Sequence, residues 1–276
     1  MSSKKHNSNS SNNININKPV PFVGKGYQPK TRRWMSYFVF FIIIAILELG
    51  TATGVISSLT MPKPSDVLGT IIELFESGLL FKHLVPSTLR LVVGALIGIS
   101  LGITIGTLIG LFSYIRSGLV PVIAAIFPIP KIALLPLFVI WFGIGEGSKY
   151  ALIALGSFTP TVVATYGAVD NVDRTLIRLG QSFGLSWISI VYKIVLPGAM
   201  PGILSGLRIS LAIAIILLVA AEMLGAEYGI GAYILEAGSL YDLERLFAGV
   251  TILSVLGIIE SVLITMIEQK ILKWRI

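Results

Sequence analysis

The chain has 276 residues, of which 54% are hydrophobic and only 13% are charged, and its formal net charge is +7. Soluble domains carry about 25% charged residues, so this chain cannot cover its surface with polar groups and must expose much of it to lipid. Cysteine is absent, which excludes disulfides and cysteine-ligated metal sites; the two histidines, His6 and His83, have no ligand partner at useful spacing, so we expect no metal site.

The first segment, residues 1–33, is predicted to be a disordered, basic cytoplasmic tail. Met1 to Gln28 are rich in serine and asparagine and contain several lysines but no acidic residue. Such a segment has too little apolar surface to fold alone. Contact of its lysines with anionic lipid headgroups is the alternative.

Six apolar segments follow, and each is long enough to cross a bilayer, for which about 20 residues are needed. Their ranges are roughly 34–55, 89–114, 119–142, 148–168, 200–224 and 246–267. We therefore predict an all-α integral membrane protein with six transmembrane helices over residues 34–276. Between the first two spans, an amphipathic stretch that ends near Leu80 is expected to lie at the membrane surface.

Basic residues near the spans predict that both termini are cytoplasmic. Lysine and arginine cluster before span one, after spans two and four, and at the C-terminus, and with six spans all these places lie on one side of the membrane. The loops on the other side are mixed to acidic. A segment at about 170–197 is then a cytoplasmic loop.

Span two contains a glycine at every fourth position, which places one glycine stripe along a single helix face. Such stripes let two helix backbones approach closely in lipid, where packing drives association. We predict close helix packing within one subunit, with a contact between two subunits as the sharper alternative. The stripe is Gly94, Gly98, Gly102, Gly106 and Gly110.

Span three is interrupted by prolines in Phe127-Pro-Ile-Pro-Lys131 and at Pro136, which breaks helical hydrogen bonding. Broken backbone is tolerated in a bilayer where it is buried in protein or lines a water-filled cavity. Lys131 follows the break, and either lines such a cavity or extends outward to the interface.

Ionisable and polar residues at membrane depth are candidates for a translocation path, because charge in hydrocarbon is costly and faces protein or water. Ser205, Arg208 and Glu222 in span five are candidates together with Lys131. For Arg208 and Glu222, an ion pair or hydrogen bond that locks helices together is an equally good interpretation.

The loop after span four carries the most specific pattern in the chain. Arg178-Leu-Gly-Gln-Ser-Phe-Gly184 is followed by nine residues and then by Ile194-Val-Leu-Pro197. This spacing resembles the cytoplasmic "EAA" coupling loop of ABC importer permeases, which reads Glu-Ala-Ala, three residues, Gly, nine residues, Ile-x-Leu-Pro. Arg178 stands where the family has its glutamate, so the sign of that charge is reversed.

Further segments resemble the sulfonate/taurine/nitrate branch of these permeases. They are Pro128 to Glu146, Pro197 to Arg208, Ala221 to Gly225, and Gly229 to Gly231. The resemblance covers nearly the whole chain after the tail and implies the type I importer permease fold, described as MetI-like. It also implies the residues that contact the ATPase, namely Arg178, Leu179, Gly180, Ser182, Phe183, Gly184, Ile194, Leu196 and Pro197.

The resemblance further implies the assembly. It contains a second copy of the permease, two cytoplasmic ABC ATPase subunits and a periplasmic or lipid-anchored substrate-binding protein in the inner membrane of a prokaryote. ATP and magnesium are bound by the ATPase, with no cofactor in this chain and no nucleic acid partner. The implied cargo is a small organic anion such as a sulfonate or taurine, with nitrate or bicarbonate as other possibilities.

Missing motifs limit the other functions. The chain has no G-x-x-x-x-G-K-[ST] phosphate loop and no recognisable catalytic cluster, so we predict neither ATP hydrolysis nor any other enzyme activity in it. The alternative is a secondary transporter or channel without an ATPase. That class predicts repeats with broken helices in matching positions, and the break in span three has no counterpart in span six.

Overall fold

The computed structural model describes residues 33–273, whose regular structure is entirely helical. The predicted tail at residues 1–33 lies outside the described residues, except for Arg33, at which the first helix begins. The α-helices of the described part are α1 Arg33–Ala52, α2 Pro64–Glu76, α3 Leu79–Leu111, α4 Ser113–Ile126, α5 Leu135–Phe142, α6 Glu146–Asp170, α7 Arg174–Ser182, α8 Trp187–Ile190, α9 Leu196–Met223, α10 Ile230–Ser239 and α11 Leu243–Ile271.

The chain divides into two units between Ile46 and Leu47, inside α1. The described part of the first unit is the beginning of α1, whose side chains are mainly exposed and apolar, as in Phe40 and Phe41. The second unit contains the end of α1 and all later helices.

Four described helices are long and apolar enough to cross a membrane: α3, α6, the continuous segment Trp187–Met223, and α11. The bent pair of α4 and the segment Lys131–Phe142 raises the number to five, and α1 contributes a shorter apolar helix, Tyr37–Ala52. The predicted all-α membrane architecture is confirmed, while the count of six spans is not exact.

The predicted second span is wrong at its start. A left-handed turn at Gly78, with φ of 71°, ends the preceding helix, and α3 begins at Leu79 rather than near Leu89. The first turns of α3 contain the polar residues His83, Ser87 and Arg90, which lower the local hydropathy. All three side chains are buried in protein, so this part of the helix does not need to be apolar.

The proline-rich third span is broken, as the sequence predicts. The segments Ser113–Ile126 and Lys131–Phe142 meet at an angle of 91°. A short 3₁₀ turn, Lys131–Leu134, joins the break to α5. Because Pro128 and Pro130 donate no backbone hydrogen bond, the chain changes direction here at low cost.

Helix α6 lies at the centre of the second unit, between α3 and α9. All five stripe glycines of α3 face α6 in parallel register. A Cβ atom added at Gly102 would lie 2.6 Å from Cβ of Thr161, and one at Gly106 would lie 2.6 Å from Cβ of Thr165. The facing residues of α6 are themselves four apart, and they are Ile153, Ser157, Thr161, Thr165 and Val169.

On its other side α6 packs antiparallel to α9, again through small residues. Gly202 faces Ala168 and Gly206 faces Ala164. The hydroxyl of Thr161 donates to Oγ of Ser210 at 2.8 Å across this contact. Helices α3, α6 and α9 thus form one close-packed layer.

Candidate coupling hairpin and buried ionic cluster

The segment 170–197, here called the coupling hairpin, forms α7, a sharp turn, α8 and the start of α9. It follows α6 directly, and its base is tied to the neighbouring helix by an ion pair. Arg116 of α4 donates from Nη1 to Oδ1 of Asp170 at 2.6 Å and from Nη2 to Oδ2. Phe112 packs on Trp187, with 5.4 Å between ring centroids.

Helix α7 begins with a side-chain cap. Oδ1 of Asp173 accepts a hydrogen bond from the backbone N–H of Thr175 at 2.7 Å, which satisfies one of the free donors of the first turn. This accepted hydrogen bond holds the pKa of the Asp173 carboxyl below its usual range. The cap therefore carries its full charge at neutral pH, next to the positive end of the helix.

The turn after α7 is made at Gly184, two residues beyond the end of the helix, where φ is +70°. The N–H of Gly184 donates to the carbonyl of Gln181 at 2.9 Å, and the N–H of Leu185 donates to the carbonyl of Gly180 at 3.1 Å. This pair of bonds is a Schellman motif, whose left-handed residue is usually glycine because it has no Cβ. Gly184 therefore sets the turn of the hairpin.

Gly180 lies where α7 packs on the second arm of the hairpin. A Cβ at this position would approach Cδ1 of Ile194 at 2.8 Å and Cδ1 of Leu185 at 3.4 Å. The position is the third of the Glu-Ala-Ala triplet in the family pattern, and the geometry explains why a small residue is needed there.

The second arm passes into α9 without a break. A π-helical turn, Val191–Val195, joins α8 to α9, and Pro197 follows this turn directly, at the second residue of α9. Ile194 is half-buried against Gly180, while Leu196 and Pro197 continue the helix toward the apolar core. The second arm of the hairpin and α9 therefore form one continuous helix.

One face of α7 exposes apolar side chains at helical spacing, with Leu176 49%, Leu179 53% and Phe183 78% exposed. An apolar groove runs beside them along Leu185, Ile194 and Pro197. Ser182 is exposed and only donates back to the carbonyl of Arg178. Within residues 33–273, the guanidinium of Arg178 has no hydrogen-bond partner, and the residue is exposed.

The four path candidates lie in different environments. Lys131 donates to the carbonyl of Phe127 and lies over its ring, with Nζ 5.3 Å from the centroid. Ser205 is exposed on α9. Arg208 forms an ion pair with Glu268 of α11 at 2.6 Å and is partly exposed. The structure does not bring these three side chains together.

Glu222 lies at the other end of the unit, in a buried ionic cluster. Glu222 is only 1% exposed. Its carboxylate accepts three hydrogen bonds of 2.8 Å, from Ser87 Oγ, Arg90 Nη1 and the N–H of Gly231. The cluster joins α3, α9 and the start of α10. Both oxygens of this carboxylate therefore accept hydrogen bonds from within the protein.

Arg90 is the centre of the cluster and is 5% exposed. Besides Glu222, its guanidinium donates to the carbonyl of Tyr228 at 2.6 Å and to both oxygens of Glu146, at 2.6 and 2.7 Å. The side chain of Glu146 is 46% exposed and also lies 3.3 Å from Nζ of the buried Lys149. Two cations thus face two anions.

The loop from Tyr228 to Gly231 closes over the cluster because it contains two glycines. A Cβ at Gly229 would lie 2.5 Å from the carboxyl carbon of Glu222, and one at Gly231 would lie 2.7 Å from the carbonyl of Val219. Nδ1 of His83 lies 2.9 Å from the carbonyl oxygen of Gly229, and this contact ties the loop to α3.

Sequence reasoning missed Arg90, Ser87 and His83 as parts of a site. Arg90 offers a signal in the sequence, since a single arginine within a glycine- and leucine-rich helix needs a buried partner. Its partners Glu146 and Glu222 are 56 and 132 residues away, so no local pattern identifies them.

A cavity was also missed. It lies between the adjacent ends of α6 and α9, next to α7, and has a volume of about 570 Å³. Small residues line it, among them Gly167, Gly198 and Gly202, together with the polar Asn171. Within residues 33–273, no group of three side chains is placed to hold a metal ion.

Comparison with protein families decides what this architecture belongs to. Residues 98–273 match the family described as the binding-protein-dependent transport system inner membrane component. The chain belongs to this family. It is therefore a membrane permease, and the predicted membership of the ABC importer permease family is confirmed.

Curated permeases are similar over most of their length. The putative aliphatic sulfonates transport permease protein SsuC of Bacillus subtilis (strain 168) is 38% identical over 234 residues, which cover 85% of each chain. The taurine transport system permease protein TauC of Escherichia coli (strain K12) is 34% identical over 224 residues, which cover 79% of this chain and 82% of that permease.

A solved structure shares the fold. A chain of the MetNI methionine ABC transporter, described in inward-facing conformations, superimposes with a TM-score of 0.61 at 20% identity. The match covers 70% of this chain and 96% of that one. The predicted MetI-like permease fold is thereby confirmed.

Proposed function

We propose that this permease forms the translocation path of an ATP-driven importer and is coupled to a separate ATPase through the coupling hairpin. The observation that carries this proposal is the exposed apolar row Leu176, Leu179 and Phe183, which lies beside an apolar groove on a capped helix. An apolar helix face next to a groove suits docking on another protein. ATP and magnesium are bound and used by that partner, and this chain has no catalytic role.

The proposed assembly contains two copies of the permease, two ATPase subunits and a periplasmic or lipid-anchored substrate-binding protein. The permease lies in the inner membrane of a prokaryote with both termini in the cytoplasm, because lysine and arginine cluster on the hairpin side. ATP-driven closure of the ATPases would move the hairpins and open the path outward, and hydrolysis would reset it.

Within the path, we propose Ser205 and Lys131 as contacts, since Ser205 is exposed and Lys131 follows the broken span. We propose the cavity lined by Gly167, Asn171 and Gly202 as an additional part of the translocation path, at the end near the coupling hairpin, because it is large enough for a small solute. Arg208 is proposed as a lock through Glu268, and Glu222 as a lock through Arg90, because their charges are already paired.

The proposed cargo is an organic anion such as a sulfonate or taurine, with nitrate and bicarbonate as the competing substrates. The names of the similar permeases, for aliphatic sulfonates and for taurine, support this choice. Uptake of a labelled alkanesulfonate into proteoliposomes, challenged with excess taurine, nitrate or bicarbonate, tests it. Absence of alkanesulfonate uptake under conditions in which labelled nitrate or bicarbonate is taken up would contradict a sulfonate cargo.

The assembly is tested by purifying the tagged permease from its native membrane in detergent. We expect a P-loop ATPase to co-purify and its activity to increase when the substrate-binding protein and its ligand are added. Recovery of the permease without an ATPase, with transport unaffected by changes in the hairpin, would favour a secondary transporter.

Replacing Gly184 by valine is expected to reduce transport about tenfold or more while membrane insertion stays normal. Space is not the reason, because nothing lies within 4 Å of the added Cβ. The reason is the φ of +70°, which costs an L-residue about 1–2 kcal/mol and more for a β-branched one, so the α7 cap opens and the hairpin loses its shape. Initial uptake rates in proteoliposomes measure the effect.

The matched control is Gly184→Asn, because asparagine tolerates the left-handed conformation. It should keep most of the transport activity and the amount of co-purified ATPase. If valine and asparagine were equally active, the cap would have no part in coupling.

A further inference from the structure

We propose that the Arg90–Glu146 pair is a releasable latch at the end of the helices opposite the coupling hairpin, whereas the Arg90–Glu222 pair stays closed throughout the transport cycle. This inference rests on the proposed importer function and adds a mechanism to it. Arg90 acts as a positioning residue: it holds the start of α6 against α3 in the conformation seen here.

The two arms of Arg90 differ in burial. The side chain of Glu222 has no exposed surface, whereas that of Glu146 is 46% exposed. A carboxylate with access to water can leave its partner and be hydrated at little cost. A fully buried carboxylate that loses its cation is left as an unpaired charge, which is strongly unfavourable.

Charge balance also favours opening at Glu146. When that pair separates, Arg90 keeps Glu222 and the carbonyl of Tyr228, and Glu146 keeps Lys149. The cluster then divides into two neutral halves. Opening at Glu222 would instead leave one half negative and the other positive, inside the protein.

The chain around Glu146 permits such a movement. Glu146 begins α6 and follows the loop Gly143 to Gly145, in which Gly143 has φ of +81° and contacts nothing near its Cβ position. This loop connects to the bent third span. Glu222, by contrast, is enclosed by Gly229 and Gly231 of the following loop.

The latch is tested by labelling a buried thiol at the start of α6, the helix end that the latch holds. The chain contains no cysteine, and Ser148, which is 3% exposed next to Glu146, can be replaced by cysteine with little change in shape. The labelling rate by a membrane-impermeant maleimide is measured on the complete complex, without nucleotide and after trapping with a non-hydrolysable ATP analogue.

In the Ser148→Cys background we expect trapping to raise the labelling rate about tenfold, which corresponds to ~1.4 kcal/mol. Adding Glu146→Gln should give the high rate without nucleotide and raise basal ATPase activity in the absence of binding protein. Arg245→Gln is the matched control, since it breaks an exposed ion pair with Asp242 at the start of α11. It should change neither the labelling rate nor the basal ATPase activity.

The latch is overturned if trapping leaves the labelling unchanged, or if Glu146→Gln retains the full nucleotide-dependent difference, as simple local loosening would. If Glu146→Gln fails to assemble, Glu146→Asp is used in its place. The aspartate keeps the charge but is too short for the bidentate contact with Arg90. A preparation without an ATPase refutes the importer function and the latch together; unchanged labelling with the ATPase present refutes the latch alone.

Discussion

Replacing Glu222 by glutamine is expected to destabilise the folded permease by about 3–5 kcal/mol, the range found when one partner of a buried ion pair is removed. The variant would leave Arg90 and Lys149 with Glu146 as the one acid in the cluster, and so one buried positive charge without compensation. The melting temperature of the detergent-solubilised chain, followed by the amount that stays monodisperse after heating, measures the loss.

The control is a double-mutant cycle with Arg90→Gln. In the double variant the remaining charges, Glu146 and Lys149, are again balanced. Its loss in free energy of unfolding should therefore be smaller than the sum of the two single losses by about 0.5–3 kcal/mol. Strictly additive losses would mean that the two side chains do not act as a pair.

Replacing Gly102 by leucine is expected to cost about 3 kcal/mol or more, at the upper end of the effect of overpacking. The first added atom would already lie 2.6 Å from Cβ of Thr161 and 3.1 Å from the carbonyl of Phe158. Backbone atoms cannot move aside as a flexible side chain can, so α3 and α6 must separate. A decrease in the melting temperature in detergent, with reduced yield, is the expected reading.

Gly118→Leu provides the comparison, because Gly118 is also helical but has no atom within 4 Å of its Cβ position. Its stability should be unchanged or slightly improved, since glycine is a poor helix former. Equal melting temperatures for both variants would show that the contact between α3 and α6 does not depend on the stripe.

Local geometry explains what the sequence could predict about the hairpin. The distance from Gly184 to Pro197 is fixed by a helix cap, one short helix and the start of the next helix, all of which are local structures. Spacing along the chain therefore carries the pattern. The π-helical turn at Val191–Val195 was not predictable, because one extra residue in a helical turn leaves no compositional mark.

The remaining misses concern contacts over long sequence separations. Gly102 and its neighbours predicted that some helix approaches closely, but nothing in their spacing identifies α6 as that helix. Arg90 was missed because an average over an apolar segment hides a single charge. Its meaning becomes clear only when Glu146 and Glu222 are brought to it by the fold.

The continuous helix from Trp187 to Met223 has 37 residues, and so a length of about 55 Å at 1.5 Å per residue. One end carries the groove of the hairpin and the other carries Glu222, so the helix is a lever that reaches both. A tilt of about 5° around its middle would shift each end by roughly 2 Å. At the Glu222 end the closed Arg90–Glu222 pair would move with the helix, and such a shift exceeds the range over which the hydrogen bonds from Arg90 to Glu146 survive. Small rotations are therefore sufficient to communicate across the bilayer.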